Sequence, residues 1–165
     1  VAMKYSQVKE CIVIPVLKQM SIPYSEEAVE LLLMTIAHES NGGEYIKQIE
    51  GPAYSIYQIE PATYKDILEN YLAYRADLEA DLARWGACGE AEEMIGNMNY
   101  ATAMARIHYW RVSEALPVLD RSQVELEYDF LVELAHYAKD HYNTHLGKAT
   151  PEKYLSDYLR WRNAG

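Results

Sequence analysis

Glu39 is the residue whose type and position most invite chemistry. It stands three positions after Ile36 and seven after Leu32, and residues at those spacings share one face of a helix. The pattern therefore predicts a carboxyl on the apolar stripe formed by Val29, Leu32, Leu33 and Ile36. Asn41, Gly42 and Gly43 end the helix directly afterwards. Desolvation disfavours a carboxylate, and a helix C-terminus carries partial negative charge, so both features raise the pKa. An acid still protonated near neutral pH suits the protonation of a departing oxygen. The alternative is a structural glutamate bonded to a backbone amide at a helix end.

The elements that position this residue read as helical nearly throughout. Tyr5 to Met20 forms a first helix, weakened or kinked by Pro15. Ser25 is an N-cap, followed by Glu26 and Glu27 in the first turn of the helix that ends near Glu39 or Ser40. Residues 41–60 contain three glycines, Pro52 and a short Tyr54-to-Ile59 run, which predicts an irregular loop or small β-element. Pro61 suits the first position of a helix reaching about Tyr74. Further helical pieces follow at Ala76 to Trp85, Met98 to Val112 and Gln123 to Tyr142, with Pro117 as an interruption. Thr150 and Pro151 read as cap and first position of a last helix to about Trp161. The expectation is one mostly α domain over residues 1–165, since no separating linker is visible.

Composition narrows the partners. The formal net charge is −10 at pH 7, which argues against nucleic acid and against a polybasic membrane-surface role. No window of 18 apolar residues predicts a membrane span, and lysines and a glutamate interrupt the first twenty residues in a way unlike a signal peptide. Fifteen tyrosines accompany a single phenylalanine. Tyrosine suits sugar contacts, but half-buried helix packing accounts for most of them. Cys11 and Cys88 are far apart and read as reduced core residues.

His141 and His145 have the i, i+4 spacing of a helical zinc site. No zincin pattern flanks them, so neither metal nor cofactor is expected. His38 falls on a different face from Glu39 and reads as a surface or half-buried ring. No phosphate loop and no nucleophile elbow is present.

Beyond Glu39-Ser40, the chain reads Gly51-Pro52-Ala53-Tyr54-Ser55-Ile56-Tyr57-Gln58-Ile59-Glu60-Pro61-Ala62-Thr63. Gln58 lies 19 residues after Glu39, and His141-Tyr142-Asn143 follows much later. This order resembles the soluble lytic transglycosylase family of the lysozyme superfamily. There a Glu-Ser at a helix end precedes a small-residue turn, a Gln and a Pro-x-Thr opening the next helix. An aromatic-Tyr-Asn segment comes near the C-terminal end of the domain. Asn99 and Tyr100 also open a helix where the family places an Asn. The resemblance covers about residues 25–145. Residues 51–64 and 142–148 are similar to proteins encoded by bacterial viruses.

The resemblance implies a lysozyme-like helical domain of the goose-type lysozyme or lytic transglycosylase kind. It implies cleavage of the bond between N-acetylmuramic acid and N-acetylglucosamine in peptidoglycan, with Glu39 as general acid and then base. Ser40, Tyr54, Ser55, Tyr57, Gln58, Tyr142 and Asn143 are the implied substrate-side residues, with a local helix-end bond for Ser40 and inward packing of Tyr54, Tyr57 or both as the alternatives. The virion, or host cytoplasm before holin-dependent release, is the implied location, with action at the bacterial cell wall and other virion proteins as candidate partners. A hydrolytic muramidase would need a base, and Glu50, Glu60 or Asp66 could supply it, Glu60 being the candidate second carboxylate. Two departures stand out. Ser55 and Ile56 occupy the region where the family has a Gly, and Glu60 stands where it is apolar or neutral. The rival expectation from another class is a non-catalytic assembly protein of a virus particle.

Overall fold

Proline 15 shapes the first helical segment. It has no N–H to donate and its ring crowds the carbonyl four residues earlier. The chain responds with a π-helical turn over Lys9–Val13, between α1 (Tyr5–Val8) and α2 (Ile14–Gln19). The expected weakening at Pro15 is thus a local widening. These features come from a computed structural model that describes residues 1–86, 89–142 and 148–165.

The helix α3 (Glu26–Ser40) begins where the sequence predicts. Ser25 is extended, and its hydroxyl accepts a hydrogen bond from Ala28 N at 3.1 Å. Asn41 ends the helix in the left-handed conformation, with φ of 52°. Its interior corrects the expectation of a single apolar stripe. Every residue from Leu31 to Ala37 is buried, as in a helix enclosed on all sides. The helix touches α7 (Met98–Trp110), α8 (Glu127–His141) and α9 (Pro151–Asn163). Helix α7 is the second enclosed element, buried from Tyr100 through Tyr109. It is flanked by α2, by α5 (Ala76–Ala83) and by the short α6 (Glu93–Gly96).

The remaining boundaries shift modestly. Helix α4 (Pro61–Asn70) does start on Pro61, but it stops before Tyr74, and a 3-10 turn over Leu72–Tyr74 follows. The segment from Gln123 opens as a 3-10 turn, Val124–Leu126, before α8 begins. Thr150 caps α9 by accepting Lys153 N at 3.1 Å. The chain is mostly helical, and among the described residues only isolated β-bridges occur, Lys47 with Tyr54 and Tyr54 with Ile59. No described helix is long and apolar enough to cross a membrane.

Eight of the fifteen tyrosines are buried, so packing explains many of them. Cys11 is exposed, which corrects its reading as a core residue; it sits on the outer side of the π-helical turn, where Val13 alone is buried. Cys88 lies outside the described residues.

Candidate functional site

The C-terminal turn of α3 is held from three directions. Met3 N donates to Gly42 O at 2.8 Å, and Trp161 of α9 donates its indole N–H to Met3 O at 2.7 Å. Gly42 has φ of +72°, and a Cβ there would sit 2.6 Å from the Trp161 indole nitrogen. Glycine is therefore required by both conformation and space. Ser40 is buried. Its hydroxyl donates to Ile36 O at 3.1 Å and accepts from Gly43 N at 3.0 Å. That corrects its assignment to the substrate side, because the side chain is used up in closing the helix.

Glu39 is half-buried where α3 emerges from the core. Burial alone pushes its carboxyl up to about 7. Among the described residues no hydrogen bond or ion pair reaches it, so the alternative of a carboxyl tied to a backbone amide does not describe it. Its charge is felt by Tyr109 and Tyr142, whose phenols burial pushes well above the ordinary range, with Glu39 adding to the effect. Burial is therefore what sets the proton affinity of this acid, and among the described residues no cation offsets it.

Tyr142, at the end of α8, links this wall to the loop. Its hydroxyl donates to the Tyr57 carbonyl oxygen. Its ring stacks on Tyr109 with centroids 5.0 Å apart and lies 4.6 Å from the His108 ring. Tyr109 is fixed by a 2.8 Å hydrogen bond between its hydroxyl and Thr35 Oγ1. Burial pushes His108 down to about 4, with Arg111 adding to the effect, so this ring is neutral near pH 7.

The loop 41–60 presents the other expected residues. Ser55 and Gln58 both adopt left-handed backbone, with φ of 76° and 51°. The 55–58 turn thus has the conformation for which glycine is favoured, despite the serine. Ser55 itself is buried. Its hydroxyl accepts from Tyr57 N at 3.1 Å, so the side chain stabilises the turn and does not face a ligand, a second correction. Gln58 is half-buried and donates its amide to Ser55 O at 2.7 Å. Tyr57 is a third correction. Its ring is fully buried and its hydroxyl pairs with Thr102 Oγ1 at 2.8 Å. It packs into the core and cannot stack on an external sugar. Tyr54 remains half-buried, with the Lys47 ammonium 5.8 Å from its ring centre. Asn143 lies outside the described residues.

The candidate second carboxylates differ among themselves. Asp66 bonds Asn70 at 2.7 Å and Arg111 at 2.7 Å. Those partners hold it below the usual carboxylate range, which makes it a poor base. Glu60 is exposed at the N-cap of α4 and makes no side-chain cap bond. Glu50 is exposed in a turn with φ of 55°.

His38 is half-buried, its Nδ1 2.9 Å from Asp157 Oδ2 on α9 and its ring 4.0 Å from that of Tyr154. Asp157 also meets Lys153 and Arg160. This cluster braces the turn that carries Glu39. Tyr109, Tyr154 and Asp157 had no signal in the sequence, because they reach the site from 70 to 118 positions away. His141 bonds Glu114 at 2.6 Å, and His145 lies outside the described residues. No family model, no curated protein and no solved structure matches this chain.

Proposed function

We propose that the chain is a lysozyme-like enzyme that cleaves peptidoglycan between N-acetylmuramic acid and N-acetylglucosamine, as a lytic transglycosylase. The observation that carries the reading is the Glu39 carboxyl, half-buried, free of any described partner and raised to about 7. Such a group holds its proton near neutral pH and accepts one back with little driving force needed in either direction. In the proposed reaction Glu39 protonates the bridging oxygen as the muramoyl C1–O bond breaks. Its carboxylate then removes the proton from the muramoyl 6-hydroxyl, whose oxygen bonds C1 and closes a 1,6-anhydro ring. The proton count balances on one carboxyl, and no water enters.

Two features support this path over two-carboxylate hydrolysis. Asp66 is committed to Arg111 and Asn70, and Glu39 itself has the intermediate proton affinity that both half-steps need. The left-handed turn at Ser55 and Gln58 supports an intact loop, which favours the enzyme over a purely structural virion protein. Tyr142 would position the loop through its bond to Tyr57 O, with Tyr54 and Gln58 nearest the glycan. Delivery with a virus particle or by release from the host cytoplasm belongs to the same proposal.

Clearing of purified peptidoglycan, followed by mass analysis of the products, tests it. The wild type should yield anhydro-terminated muropeptides and Glu39→Gln should yield none. Reducing ends in place of anhydro ends would indicate hydrolysis. Equal clearing by both proteins would remove Glu39 as the catalyst, and clearing by neither would favour the structural role.

A further inference from the structure

A cleft lies beside the N-terminal half of α3, away from Glu39. Its volume is about 380 Å³, inside the roughly 300–1,000 Å³ of small-molecule sites. Tyr5 and Lys9 reach it from the first helical segment and Glu30 from α3. Glu127 and Phe130 come from α8, and Tyr158 and Arg162 from α9. The segment before α8 contributes Leu119 and Val124. Val124 is 77% exposed, so the cleft opens to solvent there. None of its lining residues belongs to the Glu39 site.

The whole chain carries a net charge of −10, but this cleft is balanced. Lys9, Arg121 and Arg162 line it together with Glu30, Asp120 and Glu127. Some of these charges are spent on protein partners. Glu30 receives Lys9 and the hydroxyls of Tyr5 and Tyr158. Asp120 receives Ser122 and Gln123, and Arg121 pairs with Glu26, which does not line the cleft. Others have capacity left. Glu127 meets Arg162 Nη1 at 2.8 Å through Oε1, which leaves its second oxygen to accept. Arg162 bonds Glu127 and the Tyr158 hydroxyl, and a guanidinium has five N–H donors. Lys9 gives one of its three to Glu30. The Arg162 and Glu127 side chains are 36% and 43% exposed, so both are reachable from solvent.

A simple anion or cation entering this cleft meets both signs of charge at one ion pair, so attraction and repulsion offset each other. A ligand with one charge of each sign, close together, is complementary to both. Leu119, Phe130 and Leu131 add apolar surface beside the pair. We infer that the cleft binds a free α-amino acid with an apolar side chain. Its carboxylate meets the unused donors of Arg162 and Lys9, its ammonium meets the second oxygen of Glu127, and its side chain packs on Phe130 and Leu131. The Arg162–Glu127 pair stays closed, because the ligand adds to it and replaces neither partner. This site stands whether or not the chain cleaves peptidoglycan.

The test uses the whole chain, with the methyl NMR signals of Val124 and Leu131 followed during titration. L-leucine should give saturable shifts of both. Isocaproate lacks the ammonium and isoamylamine lacks the carboxylate. Each should bind about tenfold or more weakly than leucine, the loss expected for one charge-assisted contact. In Arg162→Gln, leucine should bind no better than isoamylamine does. In Glu127→Gln, it should bind no better than isocaproate does. A variant that merely distorts the cleft weakens all three probes alike, so this exchange of preference separates ligand contact from structural support. The absence of a saturable shift with leucine would overturn the site. So would half-molecules that bind the wild type as well as leucine does, or variants that weaken the three probes equally.

Discussion

Helix α3 carries two glutamates that face opposite circumstances. Glu30 and Glu39 are nine residues apart, about 13 Å along the axis. Glu30 receives Lys9 Nζ at 2.8 Å, the Tyr5 hydroxyl at 3.2 Å and the Tyr158 hydroxyl. Its side chain is 16% exposed, so it is a sheltered carboxylate with its acceptor sites occupied. Glu39 is sheltered too, but among the described residues nothing donates to it. Both acids are sheltered, so burial alone does not separate them. The difference is whether the ring hydroxyls point at the carboxyl. Tyr5 and Tyr158 give theirs to Glu30. Tyr109 and Tyr142 give theirs to Thr35 and to the Tyr57 carbonyl. One carboxylate stabilises the fold; the other is kept at a cost, as functional residues often are.

The largest effect should come from removing the unsatisfied acid. Glu39→Gln is expected to lower the rate of peptidoglycan clearing by about 100-fold to 10,000-fold, the usual worth of a general acid–base group. Glu30→Gln should leave clearing within about threefold once the protein is folded, because Glu30 lies about two and a half helical turns away. A turbidity assay on both variants checks the contrast.

Stability should change with opposite sign at the two positions. The folded-state pKa of Glu39, about 7, lies above its ordinary 4.5. The folded protein therefore binds a proton that the unfolded chain releases between those values. Stability from the protonated acid is full below about pH 4.5 and is lost as pH rises through 7. Glu39→Gln does not titrate and escapes that loss. Denaturant melts should show it gaining on wild type by roughly 2–3 kcal/mol at pH 8 relative to the difference at pH 4. Glu30→Gln should instead be less stable by about 1–2 kcal/mol at pH 7, since it weakens charge-assisted hydrogen bonds in a sheltered place. A variant–wild-type difference that is the same at pH 4 and pH 8 would erase the contrast.

The smallest effect concerns the 55–58 turn of the loop that follows α3. Ser55 has φ of 76°, and its hydroxyl accepts from Tyr57 N. Ser55→Ala keeps the backbone strain and loses the bond, so it should cost about 1 kcal/mol. Ser55→Gly also loses the bond but relieves about 1 kcal/mol of strain, and should come out close to wild type. Thermal unfolding of the two variants tests whether strain and hydrogen bond offset each other.

Local signals were legible in the sequence and distant ones were not. Ser25, Pro61 and Thr150-Pro151 mark helix starts through contacts within three residues, which is the range at which capping works. The end of α3 at Asn41 was legible for the same reason. The position of Glu39 at the edge of the core followed from the apolar spacing, although the stripe proved to be a helix enclosed on all sides. The inward turn of Tyr57 was not legible, because its partner Thr102 is 45 residues away. Nor was the aromatic wall, since Tyr109 and Tyr142 come from α7 and from the end of α8. An alternating pattern around Tyr54 and Tyr57 says nothing about which ring the rest of the fold will cover.

The most direct test of the account is the titration of Glu39 itself, by carboxyl carbon NMR in the intact wild-type chain. A midpoint near 7, with the Tyr109 and Tyr142 ring signals following the same titration, is the predicted result. A midpoint near 4.5 would mean that the carboxyl is solvated or partnered, and would contradict the assignment of Glu39 as the proton-holding acid.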